Sequence, residues 1–139
     1  MRYKKCGDTY LVRIDRNEEI VQSLKTLCGK EDIRLAQVNA IGAVSHAVLG
    51  VFDLQEQAYL KEELEGIMEI TCLTGNVTRM DGQVYLHLHA TLADQNHMVH
   101  GGHVFELTVG VTSEIFVRVL PGEAGRAKDQ DLGINLIVL

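Results

Sequence analysis

The segment Ile67–Asp94, "IMEITCLTGNVTRMDGQVYLHLHATLAD", decides how this chain is read. Apolar and polar residues alternate on both sides of Asp81-Gly82, and Asp-Gly between alternating runs is a strong hairpin signal. The segment predicts one strand over Ile67–Thr78, a turn at Met80-Asp81-Gly82, and a return strand over Val84–Leu92. His87 and His89 stand two apart on the return strand, so both side chains leave the same face.

Outward from the hairpin, most of the chain reads as β. "DTYLVRID" has period two and predicts a strand at Thr9–Ile14. "RLAQVNAIGAVSHAVLGVFD" predicts one long strand, or two broken near Gly42. "QAYLKEELEG" reads as a weaker strand, and its "YLKEELEG" part also passes as a short helix. "HVFELTVGVTSEIFVRVL" predicts a further pair of strands, "PGEAGRAKDQD" a polar loop, and "LGINLIVL" a closing strand. One helix stands out, over about residues 18–28. Ile20, Val21, Leu24, Leu27 and Cys28 share a helical face, Asp15 or Asn17 offers a cap, and Gly29 offers a stop. The class is therefore α+β: residues 1–139 form a compact single domain, an antiparallel-rich sheet with one main helix.

Composition narrows the function. A chain of 139 residues with 46% hydrophobic residues can build one buried core. No apolar run approaches the roughly 18 residues needed to cross a bilayer, so no membrane role is expected. Alternating sequence follows the basic start where a signal peptide would need an apolar block, which points to the cytoplasm. Cys6, Cys28 and Cys72 are odd in number and form no CxxC, which suits reduced thiols, with Cys28 and Cys72 read as small buried residues. Thirteen basic residues against nineteen acidic ones give a net charge of −6. Autonomous DNA binding needs a basic stripe, and Arg2-Lys4-Lys5 and Arg126-Lys128 read as solvated ends or loops.

Five of the six histidines lie between Tyr85 and His103. His87, His89 and His103 form a candidate three-imidazole metal set, a borderline-soft donor group suited to Zn²⁺ and also to Ni²⁺ or Cu²⁺. Gly101-Gly102 precede His103 and allow a tight turn or a close approach to another chain. A simple hairpin sets His103 nearer Thr91 than His89, leaving His87 remote, so spacing alone keeps satisfied strand and loop histidines open as the alternative. His97 and His100 read as exposed loop residues. Gly82, His87, His89, Asp94 and Gly101 loosely imitate a cupin motif, but the second cupin motif is missing. Glu69, centred in "IMEITCL", is either a site carboxylate or a solvent-facing strand residue. Ser45 beside His46 is sequence adjacency, since neighbours on a strand point to opposite faces.

Taken together, "NAIGAVSHAVLGVFD", "LEGIMEITCLTGNVT", "VYLHLHA" and "GGHVFELTV" stand in the order and spacing of one family. The chain resembles the PPC domain (plants and prokaryotes conserved, also domain of unknown function 296), from about Thr9 to Leu139. Its most specific element is HxH followed across one loop by GGH. Of the Gly-Arg-Phe-Glu-Ile-Leu segment typical of plant members, Gly66, Glu69 and Ile70 match, while Ile67, Met68 and Thr71 do not. The resemblance implies a PPC-like homotrimer and, in the histidine-bearing prokaryotic type, a divalent metal, zinc foremost, on His87, His89 and His103. A site at a subunit boundary would then resolve the spacing difficulty. Plant members pair the domain with AT-hooks, and no Arg-Gly-Arg-Pro segment occurs here. The expected function is thus a trimeric metal-binding module in a regulatory or DNA-associated setting, with a small ligand as a further partner. The alternatives are a zinc hydrolase in which Glu69 or Glu106 moves the proton, and direct DNA binding.

Overall fold

The computed structural model describes residues 1–139. Along the chain run β1 (Arg2–Cys6), β2 (Thr9–Asp15), α1 (Ile20–Lys30), β3 (Ala36–Asp53), β4 (Ala58–Met80), β5 (Gln83–Ala93), β6 (Val99–Val119), β7 (Gly125–Lys128) and β8 (Asn135–Val138). The central hairpin is β4–β5, with Met80 opposite Gln83. Asp81 (φ 51°) and Gly82 (φ 77°) both take positive φ, the conformation that a two-residue hairpin turn demands.

The strands lie in the order β1-β2-β6-β3-β4-β7-β8, and β5 pairs with both β4 and β6. Strands β3, β4, β5 and β6 therefore form a closed ring of hydrogen-bonded neighbours, which removes sheet edges there. Alternation sorts the side chains as the sequence predicts: Tyr10, Val12 and Ile14 of β2 are buried, while Leu11 and Arg13 are exposed. Val38, Leu73, Leu88, Leu107 and Ile115 meet the buried face of α1 in a single core. No helix is long and apolar enough to cross a membrane.

The edge of β6 between its partners β5 and β2 is covered by the turn into α1. Asn17 N–H donates to Val109 O (2.9 Å), and Val109 N–H donates to Glu18 O (3.0 Å). The Glu19 carboxylate accepts from Leu107 N–H (3.0 Å) and caps α1 through Val21 N–H (2.9 Å) and Gln22 N–H (2.6 Å). One side chain thus satisfies orphan donors on both a helix and a strand.

Several expectations are corrected. The helix runs over 20–30 instead of 18–28, because Glu19 is the cap in place of Asp15 or Asn17; Asn17 instead takes a turn at φ 68°. Gly29 does not stop the helix, which continues to Lys30, and the left-handed residue is Asp32 (φ 47°). Of the two readings of "RLAQVNAIGAVSHAVLGVFD", the single long strand is the one found, over residues 36–53 and kinked by bulges beside Gly42 and Ser45. "YLKEELEG" is strand as first read, the opening part of β4, whereas "HVFELTVGVTSEIFVRVL" belongs to one continuous β6 in place of the expected pair. Arg2, Lys4 and Lys5 sit in β1, paired with β2, and the expected polar loop contains β7 with Arg126 only 9% exposed. Cys28 is buried as expected, but Cys72 is exposed, because a bulge between Ile70 and Cys72 resets the alternation of β4.

Candidate metal centre

His87 and His89 project from β5 away from the core side taken by Leu88 and Ala90. In the β5–β6 pairing Ala93 faces Val99, so His89 faces His103 and Thr91 faces Gly101. The loop between them fixes that register. Asp94 Oδ1 accepts from Asn96 N–H (2.8 Å) and Met98 N–H (3.0 Å), and His97 sits at φ 62°. The expected offset of His103 toward Thr91 is thereby corrected, and one chain brings the three imidazoles together without a neighbouring subunit.

The ring centroids of His87, His89 and His103 lie 5.1, 5.2 and 5.6 Å apart pairwise. One ring nitrogen from each falls within 4.8 Å of the others, and His87 Nε2 stands 3.2 Å from His89 Nε2. Gly101 and Gly102 make no tight turn; they serve close strand packing within the chain. A Cβ at Gly102 would meet Gly50 O at 2.7 Å, and one at Gly101 would meet Ala90 O at 3.2 Å. His103 is packed between the rings of Tyr59 (4.9 Å) and Phe105 (5.0 Å).

The electrostatics favour neutral imidazole at His87 and His103. Burial, followed by the neighbouring His87, His89, Arg126 and Lys61, pushes His103 down to about 4. Burial, Arg126 and His89 also lower His87. Neutral imidazole is the ligating form. His103 Nδ1 is buried without a hydrogen-bond partner, a cost that coordination or an ordered water would remove. Three imidazole nitrogens close together, with the buried His103 Nδ1 left unpartnered, fit a divalent ion of the zinc type.

Beside the imidazoles opens a cavity of about 510 Å³, whose wall includes His87, His103, Tyr59, Tyr85, Asn76 and Arg126. Asn76 lies opposite His87 on β4. The Arg126 guanidinium donates to Thr78 Oγ1, Asn135 O and Asn76 Oδ1, each at 2.9 Å, and stacks on the Tyr85 ring at 4.6 Å. Sequence reasoning missed Arg126 because it lies in a polar stretch; the four-residue alternating "GRAK" of β7 was the only signal.

The remaining candidates lie elsewhere. Glu69 is exposed, opposite Ala93 and Ala43, and does not join the imidazoles. Gly66 (φ 104°) forms the bulge facing Ser45, a conformation that favours glycine. His97 is exposed as expected, but His100 is half-buried in β6 and contacts Asp94 Oδ2 at 3.3 Å. That contact occupies the carboxylate of the cupin-like pattern. Glu106 Oε2 lies 3.8 Å from Nε2 of the half-buried His46, whose Nδ1 lies 3.0 Å from Glu65 Oε1 in a cluster with Glu63.

Known structures share this architecture. A Bacteroides thetaiotaomicron protein with a provisionally ascribed DNA-binding role is 34% identical, with TM-score 0.95 over 99% of this chain and 96% of that one. A metal-containing protein from Archaeoglobus fulgidus is 33% identical, with TM-score 0.90 over 100% and 99% of the two chains. A plant- and prokaryote-conserved protein from Pyrococcus horikoshii is 31% identical, with TM-score 0.86 over 97% and 93%. No curated protein sequence matches significantly. The Plants and Prokaryotes Conserved domain matches residues 1–121, from β1 to the end of β6. By that match, and by the shared fold of these relatives, the chain belongs to the Plants and Prokaryotes Conserved domain family.

Proposed function

We propose that this chain is a metal-binding assembly module in which His87, His89 and His103 hold one divalent ion, zinc foremost, and three copies associate. The observation that carries the reading is the convergence of three imidazole nitrogens within 4.8 Å, with no carboxylate among them. The A. fulgidus relative, named as metal-containing, supports it. Bound there, such an ion would supply a Lewis acid with a fourth position open to water or a ligand. The chain's own residues hold the donors in place: Tyr59 and Phe105 pack the His103 ring, and Gly102 sets β6 close against β3. Three free thiols suit a reducing cytoplasm.

Exposed apolar pairs support assembly. Leu11 (42% exposed) faces Phe116 (51%), and Val51 (62%) faces Leu60 (61%) across adjacent strands. Metal analysis of untagged protein, paired with sedimentation, tests the reading. One ion per chain is expected, lost in His87→Ala or His103→Ala, together with the mass of a trimer. Metal-free protein after purification and zinc reconstitution would overturn the ion, and a monomer in the presence of metal would overturn the assembly.

A hydrolase requires a proton carrier near the imidazoles. Glu69 and Glu106 lie away from the cavity, whose wall holds no acidic residue. Turnover of ester, phosphoester or amide panels that disappears in His89→Ala would restore that reading. DNA association rests on the role ascribed to the B. thetaiotaomicron relative and is opposed by the charge of −6. A gel shift with A·T-rich duplex at physiological salt is expected to show no retardation.

A further inference from the structure

The cavity beside the imidazoles has a chemical bias of its own. Its wall contains one permanent cation, Arg126, and no aspartate or glutamate, in a chain that carries a net charge of −6. The rest is largely apolar or aromatic, including Phe52, Tyr59, Phe105, Ile134 and Leu136. At about 510 Å³ it has the size of a small-molecule site. The strands β7 and β8, which supply Arg126 and one wall, lie beyond the residues that the family match covers.

Arg126 is fixed for recognition. Thr78, Asn135 and Asn76 each accept one N–H, from Nε, Nη1 and Nη2 respectively, and Tyr85 stacks on the guanidinium. A guanidinium carries five N–H bonds, so one remains on each Nη. Two free N–H groups on a planar, immobilised cation can serve the two oxygens of a carboxylate, and the low-dielectric wall strengthens the pairing. A phosphate dianion would call for a second cation or a glycine-rich backbone nest, and this wall holds Arg126 as its one permanent cation and Gly133 as its one glycine.

We propose that this cavity binds a small organic monocarboxylate, its carboxylate on Arg126 and its apolar body against Phe52, Tyr59 and Phe105. The proposal names the ligand class of the site described above; it shares that cavity with the metal reading, and its recognition element is Arg126 instead of the ion.

The test is fluorine NMR on the full-length protein, both chelator-stripped and zinc-loaded. The probes are 4-fluorobenzoate, its amide, 4-fluorophenyl phosphate and 4-fluorobenzylamine. The acid is expected to bind about tenfold or more tightly than the amide, and more tightly than the phosphate or the amine, in both protein states. Arg126→Gln removes the preference for acid over amide, while Arg126→Lys retains part of it. Equal affinity for acid and amide in the wild-type protein overturns the proposal without any variant. Tighter binding of the phosphate, tighter binding of the amine, no binding up to millimolar probe, or acid binding that requires zinc each overturns it as well. Acid binding by protein that never takes up zinc would sink the metal reading and leave this one standing.

Discussion

Replacing Gly102 with alanine tests the claim that close packing of β6 on β3 positions His103. The added Cβ would lie 2.7 Å from Gly50 O and 3.3 Å from Gly50 N and C, all backbone atoms that cannot rotate away. Reaching an ordinary contact of 3.4 Å requires the two strands to part by about 0.7 Å. Overpacking of this kind costs about 1–3 kcal/mol. For a chain of 139 residues that corresponds to a drop in Tm of roughly 3–12 °C. The displaced residue adjoins His103, and metal sites tolerate only about 0.2 Å in donor distances, so zinc affinity is expected to fall about tenfold or more. Urea unfolding at one fixed protein concentration, with zinc competition against a chromogenic chelator, reads both effects. Gly101→Ala, whose Cβ would meet Ala90 O at 3.2 Å, is expected to cost less. Gly29→Ala is the control: nothing lies within 4 Å of its Cβ in α1, so it gains about 0.5–1 kcal/mol. A Gly102→Ala protein within about 0.5 kcal/mol of wild type, with unchanged zinc affinity, would refute the reasoning.

Glu19→Ala removes the α1 cap and strands the Leu107 N–H; a loss of about 2 kcal/mol or more in urea unfolding is expected, and a loss below about 0.5 kcal/mol would show that water replaces the carboxylate. Burial pushes the Cys28 thiol up to about 12, so Cys28→Ser should leave the number of thiols that react quickly at pH 8 unchanged, and a lower number would contradict its burial. The hydroxyls of Tyr3 and Tyr10 donate to Glu31 and hold its carboxyl below the usual range. A depressed carboxyl stabilises the fold above its unfolded pKa, and that contribution is lost as the pH falls through the folded value. The Tyr3→Phe/Tyr10→Phe variant should therefore show a deficit at neutral pH that shrinks on acidification, and a deficit independent of pH would remove Glu31 from the account.

Local chemistry made the central hairpin readable in the sequence. Asp81-Gly82 favours the positive φ that its turn uses, and alternation on each side can bury only one face. The helical face Ile20, Val21, Leu24, Leu27 and Cys28 was legible for the same reason, because 3.6-residue periodicity is local. The cap was not. Glu19 is selected by the strand donor Leu107, far along the chain, as much as by the helix. Arg126 was likewise hidden, since Asn76, Thr78 and Tyr85 become its neighbours only when β7 joins β4.

His87 and His89 shared a face on sequence evidence alone, because a strand repeats every two residues. Whether His103 joined them depended on the register between β5 and β6, which a shift of one or two residues would have undone. The turn centred on Asp94 and the backbone approach at Gly102 set that register, and both are relations between segments that no period in the sequence records. Residue types determined which donors were available; long-range backbone pairing decided which of them meet.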